Sequence, residues 1–177
     1  MPNTVRETFD QLRQYLARDI HRLLMHTEGG NYAVALLVSI GSEALSRLRG
    51  CRKETVFEQL LTKHGFPSRM AKDVFNALRM GTAHICDTKY IQSGKLKIEL
   101  LVSWGEKKHL TVRRDPPGLY LNVKTMWNDL HEVLEELNAT LPTGGSIPKE
   151  WIRKSVEQGD PKAVADWKTW IGTHQAG

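Results

Sequence analysis

Long apolar runs are missing from this chain. The longest, Tyr32 to Ile40, is interrupted by Ser39 and gives way to polar residues, far short of the roughly 20 apolar residues a membrane-spanning helix needs. A basic-then-apolar leader is missing too, since the chain begins MPNTVRETFD, which does not read as a secretory signal. Cysteine is scarce: Cys51 and Cys86 are the only two and no C-x-x-C pair occurs. That excludes a disulfide framework and leaves both expected as free thiols. His84, Cys86 and Asp87 lie close in sequence, but a structural zinc needs four ligands at recognisable spacing and no second cluster completes the set. The expectation is therefore a cytoplasmic protein with no metal, no cofactor and no membrane partner.

What is present is ordinary globular material. The 177 residues suffice for one domain with a real core, and 40% hydrophobic with 25% charged content suits a soluble fold. The net charge of +5 is modest evidence for a polyanionic partner. Its cations are dispersed: Arg47, Arg49, Arg52 and Lys53 form one cluster, and Lys107, Lys108, Arg113 and Arg114 a second.

Periodicity divides the chain. Val5, Phe9, Leu12, Leu16, Ile20 and Leu23 recur at spacings of three and four, predicting a helix capped by Asn3 or Thr4 and running to about His26. Tyr32 to Leu48 predicts a second, apolar nearly all round in its first half and so buried centrally, with Asn31 as its cap. Lys53 to Lys63 predicts a short third on Val56, Phe57, Leu60 and Leu61, and Pro67 opens a fourth with Met70, Val74, Phe75 and Leu78 inward. From Leu96 the period falls to two. Leu96 to Trp104, His109 to Arg113 and Leu119 to Val123 predict a three-stranded antiparallel meander within about residues 95–123, with His109 on the surface. Thr125 then caps a fifth helix to about Asn138, with His131 packed or partly exposed beside its apolar stripe. The expected class is α+β, mainly α: an antiparallel bundle of four to five helices with a small sheet over residues 1–140, a linker at 141–148 and a helical tail at 149–177. Trp151, Trp167 and Trp170 in that tail need covering.

The residues with most chemical ability gather at Phe75 to Asp87, FNALRMGTAHICD. Arg79 and His84 stand five apart, about 140° around a continuous helix, so they converge only if the last turn loosens at Gly81. A guanidinium that forks onto phosphate and an imidazole that moves protons at neutral pH make a minimal kit for holding or cutting RNA. The plainer alternative is that cations favour a helix C-terminus. Glu43 likewise reads two ways, as a helix-surface carboxylate paired with Arg47 at i+4 or as the group that orients Arg79 or His84.

Leu78 to Ile91, LRMGTAHICDTKYI, following a helical bundle, resembles the signature of the HEPN superfamily (higher eukaryotes and prokaryotes nucleotide-binding domain), in which an arginine is followed after four to six residues by a histidine. Here four residues separate Arg79 from His84. The sheet region with LLVSW ending at Trp104 resembles small bacterial HEPN-like proteins that append a β-meander and a helix. The resemblance covers about Thr4 to Ala139, and the last 38 residues have no counterpart in it. It implies a homodimer with two motifs facing one cleft, RNA as partner, and a metal-independent endoribonuclease of a toxin–antitoxin or defence system, with an antitoxin or another protein as a further partner. Arg79 and His84 would be catalytic. The chain departs from the pattern at Met80, where members that cut RNA usually carry a polar residue, most often Asn; Thr82 is the residue able to restore some polarity. Without the chemistry, the same fold would be an interaction or regulatory module.

Overall fold

Helix formation begins with a reciprocal cap. The Glu7 N–H donates to Thr4 Oγ1 at 3.1 Å while the Thr4 N–H donates to Glu7 Oε2 at 3.0 Å, so two amides that the first turn leaves without partners satisfy their needs at once. The structure is a computed structural model describing residues 4–25, 30–84, 90–93, 95–105, 107–141 and 143, with the backbone alone at 80–84 and at 93. From the Thr4 cap, α1 (Val5–Met25) buries Phe9, Leu16 and Ile20.

The second helix, α2 (Asn31–Leu48), is the axis of the bundle and packs against α1, α3 (Thr55–Thr62), α4 (Ser68–His84) and α5 (Val123–Thr140). Small residues make that possible. A Cβ on Gly41 would lie 2.7 Å from Leu16 Cδ1 and 3.3 Å from Leu130 Cδ2, closer than packed carbon atoms approach. The buried hydroxyls of Ser42 and Ser46 donate to the Val38 and Ser42 carbonyls at 2.8 and 2.7 Å, which removes the penalty of burying them. Ser46 Oγ also accepts from the Val56 N–H at 2.9 Å. The start of α3 is thus capped from a neighbouring helix, its own N-cap residue Glu54 making no side-chain cap.

Two expected caps move. Gly30, at φ 84°, precedes α2 in place of Asn31, because glycine enters the left-handed region without a Cβ penalty. Asn122 starts α5 in place of Thr125, accepting the Thr125 N–H at 3.1 Å. Met70, expected inward on α4, is 44% exposed; Ala71 and Val74 take the buried positions, and Phe75 sets its ring 5.4 Å from that of Phe57.

The sheet departs most from expectation. It has four strands, β1 (Tyr90–Ser93), β2 (Leu96–Ser103), β3 (Val112–Arg113) and β4 (Gly118–Asn122), in the order β1-β2-β4-β3. β1 pairs antiparallel with β2 and β3 antiparallel with β4, but β2 and β4 run parallel, with Leu101 opposite Tyr120. A meander would place the segment after β2 beside it. Here that segment crosses to the far edge of β4, where the Leu110 N–H donates to Tyr120 O and the Tyr120 N–H to Thr111 O. Parallel pairing requires such a crossover.

The chain separates into two compact units, Met1–Gly145 and Ser146–Gly177. The expected tail helices and most of the linker at 141–148 lie outside the described residues.

Candidate functional site

Glu43 is placed by α2, one turn before Arg47, and meets the last part of α4. Its Oε1 accepts from Arg47 Nε at 3.0 Å and from the Arg47 terminal nitrogen at 2.7 Å, and its Oε2 lies 2.9 Å from a terminal nitrogen of Arg79. One carboxylate therefore holds two guanidinium groups, one from each helix. The Glu43 side chain is 15% exposed, against 32% for Arg47 and 36% for Arg79. The acid is sheltered and the bases open to solvent. Glu43 is thus both the i+4 partner of Arg47 and an ion-pair partner of Arg79.

The backbone of α4 remains helical through Gly81 to His84. Positions 79 and 84 therefore sit about 140° apart around one continuous helix, and the loosening expected at the glycine is absent from the backbone. The side chains of Met80, Thr82 and His84, and the whole of Cys86 and Asp87, lie outside the described residues. Of the expected site, Glu43 and Arg79 are brought together. A guanidinium offers five N–H donors in a rigid fork, so a carboxylate that fixes one nitrogen also fixes the plane in which the others can meet an anion.

A second polar cluster was invisible to periodicity. Lys63 and His64, at the end of α3, meet Asp129 of α5: Lys63 Nζ lies 2.9 Å from Oδ1, and His64 Nε2 lies 2.6 Å from Oδ2. Glu132 also pairs with Lys63. The His109 ring stands edge-on to that of His64, centroids 5.2 Å apart. Far from the surface position expected of it, His109 is half-buried, with Nδ1 accepting the Asn122 N–H at 3.1 Å and Nε2 buried without a partner among the described residues. Burial, followed by the charge of His64, lowers its pKa to about 4, against an opposing pull from Asp129. The position of His109 follows from the crossover between β2 and β4, which no local pattern announces. His131, as expected, is partly exposed, with its ring 5.4 Å from Trp127.

Among the described residues, no group of three or more His, Cys, Asp or Glu side chains is placed to hold a metal ion, and no helix is long and apolar enough to cross a membrane. Cys51 is free and exposed. A cavity of about 410 Å³ lies between α4 and the sheet, lined by Phe66, Met70, Val74, Ile98 and Leu119 with Asp73. Its wall is apolar apart from Asp73, and neither Glu43 nor Arg79 lines it. The chain matches no protein-family model, no curated protein and no solved structure.

Proposed function

We propose that this protein binds RNA as a HEPN-like homodimer and cuts it without a metal ion, the role expected of a toxin–antitoxin or defence ribonuclease. The observation that supports this reading is the Glu43 carboxylate fixing Arg79, the first residue of the R-x4-H pattern, at 2.9 Å. In the proposed reaction the ribose 2′-hydroxyl attacks the adjacent phosphorus and the bond to the 5′-oxygen breaks. His84 moves the proton between the attacking and leaving oxygens, and Arg79 steadies the charge growing on the phosphate. The products are a 2′,3′-cyclic phosphate and a 5′-hydroxyl. The RNA supplies its own nucleophile, so no serine or cysteine is required of the protein.

The test is cleavage of single-stranded and structured RNA by purified protein in EDTA, with cyclic-phosphate ends identified. His84→Ala should lower the rate by roughly 10²–10⁴-fold, and Arg79→Ala by roughly 10²–10³-fold. Equal survival of RNA with wild type and both variants refutes the nuclease. A second reading, an interaction module on the same fold, draws on Arg79 already having an anionic partner in Glu43 and on the apolar Met80 beside it. Capture of a protein partner without nucleic acid would favour that reading, and co-purifying RNA would count against it.

A further inference from the structure

Register gives the sheet two unlike faces. Ile98, Leu100, Leu119 and Leu121 belong to the apolar side that joins the core. On the other side Tyr90 stands opposite Glu99, and Leu101 opposite Tyr120, with Lys97 two residues before Glu99 on the same face. Tyr90 is 45% exposed as a residue, and Lys97 Nζ sits over its ring, 3.7 Å from the centroid. Tyr120 is half-buried, with Lys107 Nζ 6.0 Å from its centroid. The acidic group between them, Glu99, is already neutralised by Arg113 reaching from β3. Lys95 joins Tyr90, Lys97, Glu99 and Pro117 around a shallow groove of about 370 Å³.

This is a particular combination. Each tyrosine carries a lysine ammonium over its ring, so a base that stacks there takes the ammonium's place while the lysine swings out to the flanking phosphate. From strand spacing and rise, Tyr90 and Tyr120 are roughly 12 Å apart on the diagonal, a gap that an unstacked strand can bridge but that the closed base pairs of a duplex do not serve. A protein partner would call for a broader apolar centre than the half-buried Leu101 between the two rings.

We propose that this outer sheet face binds single-stranded RNA, with Tyr90 and Tyr120 stacking bases while Lys97 and Lys107 pair with flanking phosphates. The choice of RNA rests on the RNA-binding reading above; the stacking platform involves neither Arg79 nor His84.

The test uses the full chain and a fluorescent 2′-O-methyl oligouridylate of about 15 nucleotides, within the site sizes such platforms cover. That probe lacks the attacking hydroxyl and so stays intact. Anisotropy titrations should show Tyr90→Ala binding roughly 5- to 100-fold more weakly, as loss of one stacked base predicts, with Tyr90→Phe near wild type. Lys97→Gln should reduce the salt dependence of log K by about 0.7, one phosphate contact on a single strand. A blunt RNA duplex should compete poorly. The proposal is overturned if the wild type does not bind the probe, if Tyr90→Ala and Tyr120→Ala both bind like wild type, or if the duplex competes as well as the single strand. Binding that depends on Tyr90 in a protein that never cuts RNA sustains this proposal and refutes the nuclease. Cutting that is indifferent to Tyr90, by a protein whose tyrosine variants bind normally, does the reverse.

Discussion

Acid should loosen this fold through His109. Because the Asn122 N–H can only donate, His109 Nδ1 must be the unprotonated nitrogen, and the single proton of the neutral ring sits on the buried Nε2. Adding a second proton places it on Nδ1, facing the amide of Asn122. The bond at 3.1 Å is lost, beside the residue that caps α5 and whose side-chain amide donates to the Lys107 carbonyl at 2.9 Å. The groups around the ring are His64, Asp129 and, through Asp129, Lys63. A histidine with a lowered folded pKa favours folding fully above its unfolded value and loses that contribution as pH falls. Here the window runs from 6.5, the ordinary value, down to about 4. Linkage over that window gives about 2 kcal/mol lost between pH 7 and pH 5, and partial solvent access to the ring lowers this to about 1–2 kcal/mol. Urea unfolding at both pH values, for wild type and His109→Asn, isolates the effect. The asparagine keeps an acceptor at the δ position and does not titrate, while every other ionisable group is common to both proteins. Wild type should lose about 1–2 kcal/mol more than the variant on acidification. Equal losses, or an NMR titration of the His109 ring with a midpoint near 6.5, refute the reasoning.

Three further outcomes follow from single contacts. Glu43→Gln removes the charge shared by Arg47 and Arg79 and should destabilise by about 1–2 kcal/mol, the partial exposure of both arginines keeping it below the value for a dry pair; an unchanged melting temperature would show the bridge to be idle. Ser46→Ala strips the Val56 N–H of its acceptor inside the core and should cost about 1–3 kcal/mol, or roughly 2–12 °C in melting temperature at this chain length. A shift smaller than one degree would mean that something else caps α3. Asn122→Ala removes the cap of α5 and the tie to Lys107, with an expected loss of about 1–2 kcal/mol by chemical denaturation. Retained stability would place the start of that helix under packing control alone.

The helices were readable because their information is local. The spacing of Phe9, Leu16 and Ile20 at seven and four, or of Met126, Leu130 and Leu134 at four, states which face is buried, and those residues are buried. The central place of α2 was readable from the same kind of evidence, a helix with too little polar surface to lie outside. Caps were less so. Asn31 and Thr125 are good capping residues by type, but Gly30 and Asn122 occupy the positions, and Ser46 caps α3 from a different helix altogether. Strand order was not readable, since alternation marks which residues share a face and is silent about which strand lies alongside. The crossover after β2 is what carries His109 inward to His64.

The candidate site divides along the same line. The spacing of Arg79 and His84 is local and was read directly, whereas the anchoring of Arg79 by Glu43 is a contact between helices 36 residues apart in sequence. That contact also constrains the chemistry. With α4 helical through Gly81, positions 79 and 84 diverge within one chain, so under the nuclease reading proposed above the guanidinium of one copy would meet the imidazole of another. Activity should then fall with dilution below the dimer dissociation constant, and mixing Arg79→Ala with His84→Ala protein should restore cleavage, because a heterodimer can place one intact arginine opposite one intact histidine. Two dead variants that stay dead when mixed, in a sample shown to exchange subunits, would remove the composite site from consideration.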